Sequence, residues 1–270
     1  ALDKFKKIAH ENRMLSLNDA FSHEDMEAWQ QRLLKILNIE KISYYAEVKF
    51  DGLAISLRYK KGLLEVAATR GDGFVGEDVT NNIKTIHSVP LVLLKNKTLE
   101  VRGEVVMSKS IWQELNKEQA KQNLPLYANT RNAAAGSIRQ LDPKITANRK
   151  LQFYAYDILG IDFKTHEEVH EKIADLGFRV SKYQKLCQNL DNVFDFYEKV
   201  EKERPTLPFG IDGIVVSLND LALQRRLGVV GKAPRGMIAF KFPPEQATTI
   251  VENIGVNVGR TGKLTPVAHL

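Results

Sequence analysis

The sequence predicts a mixed α+β fold, and three observations carry the prediction. Extended segments with a two-residue period gather at 45–49, 53–59 and 63–69; an apolar stripe at helical spacing precedes them; strand-like and helix-like segments then alternate through the remainder. In order, the first helix follows Ser22, an N-cap residue with His23, Glu24 and Asp25 in the first turn, and Met26, Trp29, Leu33 and Leu37 line one of its faces. That spacing marks a core-facing stripe. From Ser43 the pattern turns extended, and Lys60-Lys61-Gly62 joins two segments as an antiparallel hairpin. Further strands are expected at 99–107, 151–159 and 213–218, with helices at 109–122, 167–176 and 191–203. The last stretch, 255–262, is glycine-rich and strand-like.

The chain has 270 residues, 43% hydrophobic and 27% charged, which is ordinary for one large or two modest globular domains with a sizeable core. A formal net charge of +6, spread along the sequence rather than held in a tail, points to a polyanionic partner. The single cysteine, Cys187, excludes an intrachain disulfide and a multi-cysteine zinc site, and it suits a reducing compartment. No apolar run approaches a membrane span, and the first residues lack a signal-peptide h-region, so a cytoplasmic location and no membrane partner are expected.

Chemistry centres on Lys49, set in Glu47-Val48-Lys49-Phe50-Asp51-Gly52. A lysine between two carboxylates and before a glycine turn suits a nucleophile, although such a pattern alone also describes a charged strand end. A free amine titrates near pH 10.4, so its neutral form costs roughly 4 to 5 kcal/mol at pH 7. A neighbouring cation lowers that cost, and Lys241 in Phe240-Lys241-Phe242-Pro243 is the candidate. An internal echo pairs residues 51–57 with 212–218, each opening on Asp-Gly: Asp51-Gly52 and Asp212-Gly213. Two strands from different sheets would then face one cleft, where glycine allows close approach of a nucleotide. Arg70 stands beside a flexible turn, Thr69-Arg70-Gly71-Asp72-Gly73, and Glu104 sits in an apolar strand. A carboxylate there needs a partner: a ribose hydroxyl, a metal, a lysine, or Arg70 as an internal ion pair.

Those segments, the Arg70 one running from Thr69 to Thr80, together with Arg102-Gly103-Glu104 and the run from Asn129 to Pro143, stand in one order along the chain. They resemble the adenylation domain of bacterial NAD+-dependent DNA ligases. The resemblance runs from Met14-Leu15-Ser16-Leu17 to Val258-Gly259-Arg260-Thr261-Gly262. It implies a nucleotidyltransferase fold, ATP-grasp-like as in DNA ligases and mRNA capping enzymes, with antiparallel sheets flanked by helices. Residues 1–248 would form that domain, and 249–270 would begin an incomplete OB domain with its first strand.

By that resemblance Lys49 attacks the α-phosphorus of NAD+, AMP passes to the 5′-phosphate of nicked double-stranded DNA, and the 3′-hydroxyl closes the backbone, with Mg2+ as cofactor and a monomeric enzyme. Ser16, Leu17, Gly52, Asp212 and Ser217 would line the nucleotide site; Glu47 would accept from the adenine edge, Glu104 would hold the ribose, and Tyr156 would stack on the base. Arg70 and Lys241 would contact phosphate, Asp51 would support the later steps, and Arg131, Arg139 and Arg204 would meet DNA. No residue is assigned as a dedicated metal ligand.

Two departures qualify the resemblance. The family's fourth motif carries a lysine where this chain has Ser217, and Lys232 is the nearest replacement in sequence. The family's N-terminal helical domain, which grips the nicotinamide mononucleotide half of NAD+, is not in this sequence, so the chain is expected to bind AMP better than it reacts with NAD+. Two other readings are weighed: an ATP-dependent ligase or capping-type nucleotidyltransferase, and a non-catalytic nick-binding scaffold suggested by Ser217.

Overall fold

The computed structural model describes residues 5–243, 248–259 and 262–270. The chain enters through β1 (Lys7–Ala9), β2 (Asn18–Ala20) and α1 (His23–Leu37), then forms β3 (Tyr44–Phe50), β4 (Leu53–Lys60), β5 (Leu63–Thr69) and β6 (Val75–Glu77). After the short α2 (Thr80–Ile83) come β7 (Leu99–Val106), α3 (Lys109–Lys121), α4 (Thr130–Ile138), α5 (Pro143–Asn148) and β8 (Gln152–Leu159). The second half runs through α6 (His166–Asp175), β9 (Gln184–Cys187), α7 (Leu190–Glu203), β10 (Ile211–Leu218) and α8 (Leu221–Leu227). It ends with β11 (Val229–Val230), β12 (Ala233–Pro234), β13 (Met237–Lys241), β14 (Asn253–Val258) and β15 (Leu264–His269).

Two sheets organise the molecule: a five-stranded one in the order β2-β13-β10-β3-β9 and a four-stranded one in the order β5-β4-β7-β8. Their pairings are antiparallel except β13 with the three-residue edge strand β2, which is parallel. The antiparallel sheets flanked by helices that were expected are present, with this one short edge pairing parallel: β2 reaches its partner from more than 200 residues away in sequence, so no local turn dictates its direction. The β4–β5 hairpin turns on Lys61 and Gly62, both at positive φ, the geometry whose twist matches its strands.

Strand alternation assigns each face. On the five-stranded sheet, Tyr44, Ala46, Val48 and Phe50 of β3, with Ile214, Val216 and Leu218 of β10 and Ile238 and Phe240 of β13, enter one core with α1 and α7. On the four-stranded sheet, Ile55, Leu57 and Tyr59 of β4, with Leu99, Val101 and Val105 of β7 and Phe153 and Ala155 of β8, enter a second core with α4 and α6. The alternate positions, Glu47 and Lys49 on β3, Gly213, Val215 and Ser217 on β10, and Glu100, Arg102 and Glu104 on β7, are left for the cleft between the sheets. The chain crosses from one sheet to the other at Asp51-Gly52. β4 and β10, the two strands of the Asp-Gly echo, therefore do belong to different sheets.

The helices follow from their caps and stripes. Ser22 Oγ accepts from the Asp25 amide at 3.2 Å, Asn38 closes α1 in the left-handed region, and Met26, Trp29, Leu33 and Leu37 are buried as the spacing required. Beyond Pro243, β14 and β15 pair as an antiparallel hairpin, two strands where the sequence suggested one, with Ile254, Val256, Val258 and Leu264 exposed. Arg260 and Thr261 lie outside the described residues. No described helix is long and apolar enough to cross a membrane.

Candidate active site

Three strands place the charged centre. Lys49 on β3, Gly213 on β10 and Lys241 on β13 lie in one cross-strand row. Side chains in such a row share a face, so the two lysines flank a position that has no side chain. A Cβ on Gly213 would stand 2.2 Å from the Phe240 carbonyl oxygen, so only glycine fits. The β3–β10 register slips between Ile211 and Gly213, which makes Asp212 the extra residue of a bulge. The bulge turns the Asp212 carboxylate into the gap, where it accepts from Lys49 Nζ at 3.1 Å and from Lys241 Nζ.

The sequence placed Lys241 as the cation that acidifies Lys49; the structure interposes a carboxylate between the two ammonium groups. Burial alone would lower the Lys241 pKa, but the hydrogen bond and charge of Asp212, with Asp19 at 3.9 Å, prevail and raise it. The backbone of Lys241 is tied down as well: its carbonyl accepts from the Tyr197 hydroxyl at 3.0 Å, and the Tyr197 ring stacks on Phe240.

Across the cleft, Glu104 has no hydrogen-bond or ion-pair partner among the described residues. Burial pushes its carboxyl up to about 7, against the opposing fields of Lys49, Arg131 and Arg70, while Asp51 adds to the rise. Arg70 is thus an electrostatic neighbour of Glu104 and makes no ion pair with it; the buried ion pair of this strand is Arg102 with Glu100, at 2.7 Å. Gly52 sits directly against Glu104: a Cβ there would meet the Val105 carbonyl oxygen at 2.3 Å and Glu104 Cγ at 2.8 Å. The glycine of the Lys-x-Asp-Gly pattern thereby lets the chain enter β4 hard against β7. Asp51, just before it, accepts from Arg131 Nη1 at 3.2 Å, and its amide donates to the Gly210 carbonyl.

The remaining expected residues are distributed more widely. Tyr156 is the unpaired residue of a bulge in β8, between Ala155 and Asp157, and burial raises its hydroxyl pKa. Glu47 is buried, and its Oε1 faces His166 Nε2 at 3.7 Å and His170 Nε2 at 3.5 Å on α6. Burial opposes its ionisation, yet the two imidazoles hold its carboxyl down to about 2. Ser16 donates its amide to the Lys232 carbonyl at 2.8 Å, and Leu17 follows toward β2. Ser217 pairs with Tyr45 and Met237, four residues along β10 from Gly213 and so about 13 Å away; it is buried, and its hydroxyl lacks a partner. The structure therefore does not bring Ser217 to the Lys49 centre. Arg139 pairs with Glu77 at 2.9 Å, and Arg204 lies over the Phe242 ring.

Sequence reasoning named Asp212 as a binding residue without its bridging part, because a bulge leaves no sequence signature. It passed over His166 and His170 altogether, although their four-residue spacing on a helix is legible.

Residues 2–245 match the family model of the NAD-dependent DNA ligase adenylation domain. The DNA ligase of Natranaerobius thermophilus is 47% identical over 272 residues, covering 100% of this chain and 41% of that protein. Those of Brevibacillus brevis and Caldicellulosiruptor saccharolyticus are 46% and 47% identical, each over 98% of this chain and 40% of theirs. The chain thus spans about two fifths of the length of these curated relatives. Among solved structures, an ATP-dependent DNA ligase from bacteriophage T7 in complex with ATP is 13% identical, with a TM-score of 0.42 over 93% of this chain and 79% of that one, too distant to carry an argument. A family match across nearly the whole sequence and relatives near half identity agree: the chain belongs to the NAD-dependent DNA ligase adenylation domain family.

Proposed function

We propose that this chain carries AMP on Lys49, taken from NAD+ only slowly when the chain acts alone, and delivers it to the 5′-phosphate of nicked double-stranded DNA, for strand joining in replication and repair. The observation that supports this most directly is the Lys49–Asp212–Lys241 row facing an unpaired Glu104. In this reading the Lys49 ammonium gives up a proton, for which Asp212 is the adjacent acceptor. Its nitrogen then bonds to the α-phosphorus as the bond to nicotinamide mononucleotide breaks. Lys241, whose pKa is raised by Asp212 and Asp19, stabilises the charge that builds on the phosphate oxygens. Glu104 receives a ribose hydroxyl, which supplies the partner it lacks.

Mg2+ would add to the charge neutralisation at phosphate, and Asp51 and Glu104 are hard oxygen donors at the right edge of the cleft; the ion typically keeps several waters beside one or two carboxylates. Ser16, Leu17, Gly52, Arg70 and Tyr156 complete the nucleotide pocket, and Arg131, Arg139 and Arg204 contact DNA through arginine's fixed fork. Lys232, whose backbone already holds Ser16, supplies the cation that Ser217 does not. The 253–269 hairpin opens an OB domain, and the enzyme acts as a cytoplasmic monomer.

Intact mass after incubation with NAD+ tests the nucleophile: a gain of one AMP that disappears in Lys49→Ala supports it. Closure of a nick that already carries a 5′-adenylate isolates the final step. Failure of both reactions in wild-type chain would favour the non-catalytic nick-binding scaffold.

A further inference from the structure

The Glu47–His166–His170 cluster is more than a satisfied ion pair. The three side chains come from two elements, β3 and α6, and all three are buried. His166 and His170 lie four residues apart on α6 and so share one helix face. Their candidate ligand atoms and the Glu47 carboxylate all lie within 4.8 Å of one another. His166 Nε2 and both ring nitrogens of His170 are buried without a hydrogen-bond partner.

Such a cluster can hold a proton, and although burial works against it the Glu47 carboxylate does raise the His170 pKa, or it can hold a cation. A charge-assisted N–H···O bond closes to about 2.7–2.9 Å. Here Glu47 Oε1 stands 3.5 Å from one imidazole nitrogen and 3.7 Å from the other, too long for either bond and nearly symmetric. Metal–ligand bonds of about 2.0–2.2 Å at tetrahedral angles set ligand atoms about 3.3–3.6 Å apart, close to the two carboxylate–imidazole separations, while the three ligand atoms as a set lie within 4.8 Å of one another. A fourth donor stands alongside: Gln184 on β9 pairs in register with Glu47, and its Oε1 is buried with no partner.

We infer that Glu47, His166 and His170, with Gln184 as the fourth donor, form a closed site for a borderline divalent cation of the zinc class. Two imidazoles and one carboxylate suit zinc or cobalt better than Mg2+, which prefers oxygen and its own waters. The cation would pin α6 to β3 and β9 at one end of the cleft. The site stands on these side chains alone and does not require the nucleotide chemistry proposed above.

The probe is Co2+ added to the chelator-stripped 270-residue chain, with Zn2+ used for stoichiometry. One equivalent should bind, give the visible absorption of a four-coordinate site, show two paramagnetically shifted imidazole N–H resonances, and raise the melting temperature. His166→Gln and His170→Leu should each weaken binding by at least about tenfold. Lack of stoichiometric binding by wild-type chain, a six-coordinate spectrum, or undiminished binding in a folded His166→Gln/His170→Leu double variant would overturn the assignment. If the variants do not fold, the two shifted imidazole resonances of the wild type decide the matter alone. AMP loading on Lys49, followed separately by mass, can fail without affecting any of these readouts.

Discussion

Lys49 and Lys241 can share a site because a single carboxylate lies between them, and Asp212 reaches that place only because the residue after it has no side chain. Gly213→Ala would press a methyl group against the Phe240 carbonyl. A loss of about 1–3 kcal/mol in urea unfolding is expected, together with slower AMP loading because the two lysines are pushed apart. Glu104 makes the residue-scale pH prediction. Its carboxyl titrates near 7 in the folded chain, above the ordinary 4.5, so between those values the folded protein keeps a proton that the unfolded chain has released. Its contribution to stability is complete below pH 4.5 and is lost as pH rises through 7. Urea titrations across that window should show wild type losing up to about 3 kcal/mol relative to Glu104→Gln, whose curve lacks this component. That Glu104 needs a partner was legible in the sequence, since a carboxylate among strand-forming apolar residues must answer for its burial; that it finds none among the described residues was not.

Elements differ in how openly the sequence announced them. β4 and β7 alternate in sequence and β4–β5 ends in a positive-φ turn, while α1, α3, α6 and α7 carry both caps and stripes. α4 carries a good N-cap, Asn129, but its body, Thr-Arg-Asn-Ala-Ala-Ala-Gly-Ser-Ile, has small residues in place of an apolar stripe, so periodicity cannot find it. β13 is five residues whose placement depends on β2 and β10, far away in sequence. The cap of α1 lies apart from the site, and Ser22→Ala should lower stability by about 1 kcal/mol while AMP loading stays unchanged. Lys232, on the exposed turn between β11 and β12, is the opposite case. Lys232→Ala should leave the melting temperature unmoved and slow AMP loading; an equal loading rate would remove it from the site.

At the scale of the whole molecule, two helix-covered sheets present their polar faces to each other, and the +6 charge is carried on surfaces that include the arginines around that cleft. Binding to a nicked duplex should weaken steeply with salt, since each phosphate neutralised contributes a slope of about −0.9 in log K against log[salt]. Arg139→Ala should reduce that slope by about one at every sequence tested, measured by fluorescence anisotropy; no change in slope would detach Arg139 from the DNA.

The separation of the site's parts along the chain also bears on synthesis. Asp212 leaves the ribosome 163 residues after Lys49, and Lys241 comes 29 residues after that. β3 can meet β10 before β13 exists, so for a time β10 is an edge strand and Lys49 faces Asp212 as a neutral pair with no second cation. The reactive amine is thus made long before the machinery that employs it, and termination after β10 but before residue 237 would release a chain whose nucleophile is paired with Asp212 and has no second cation beside it.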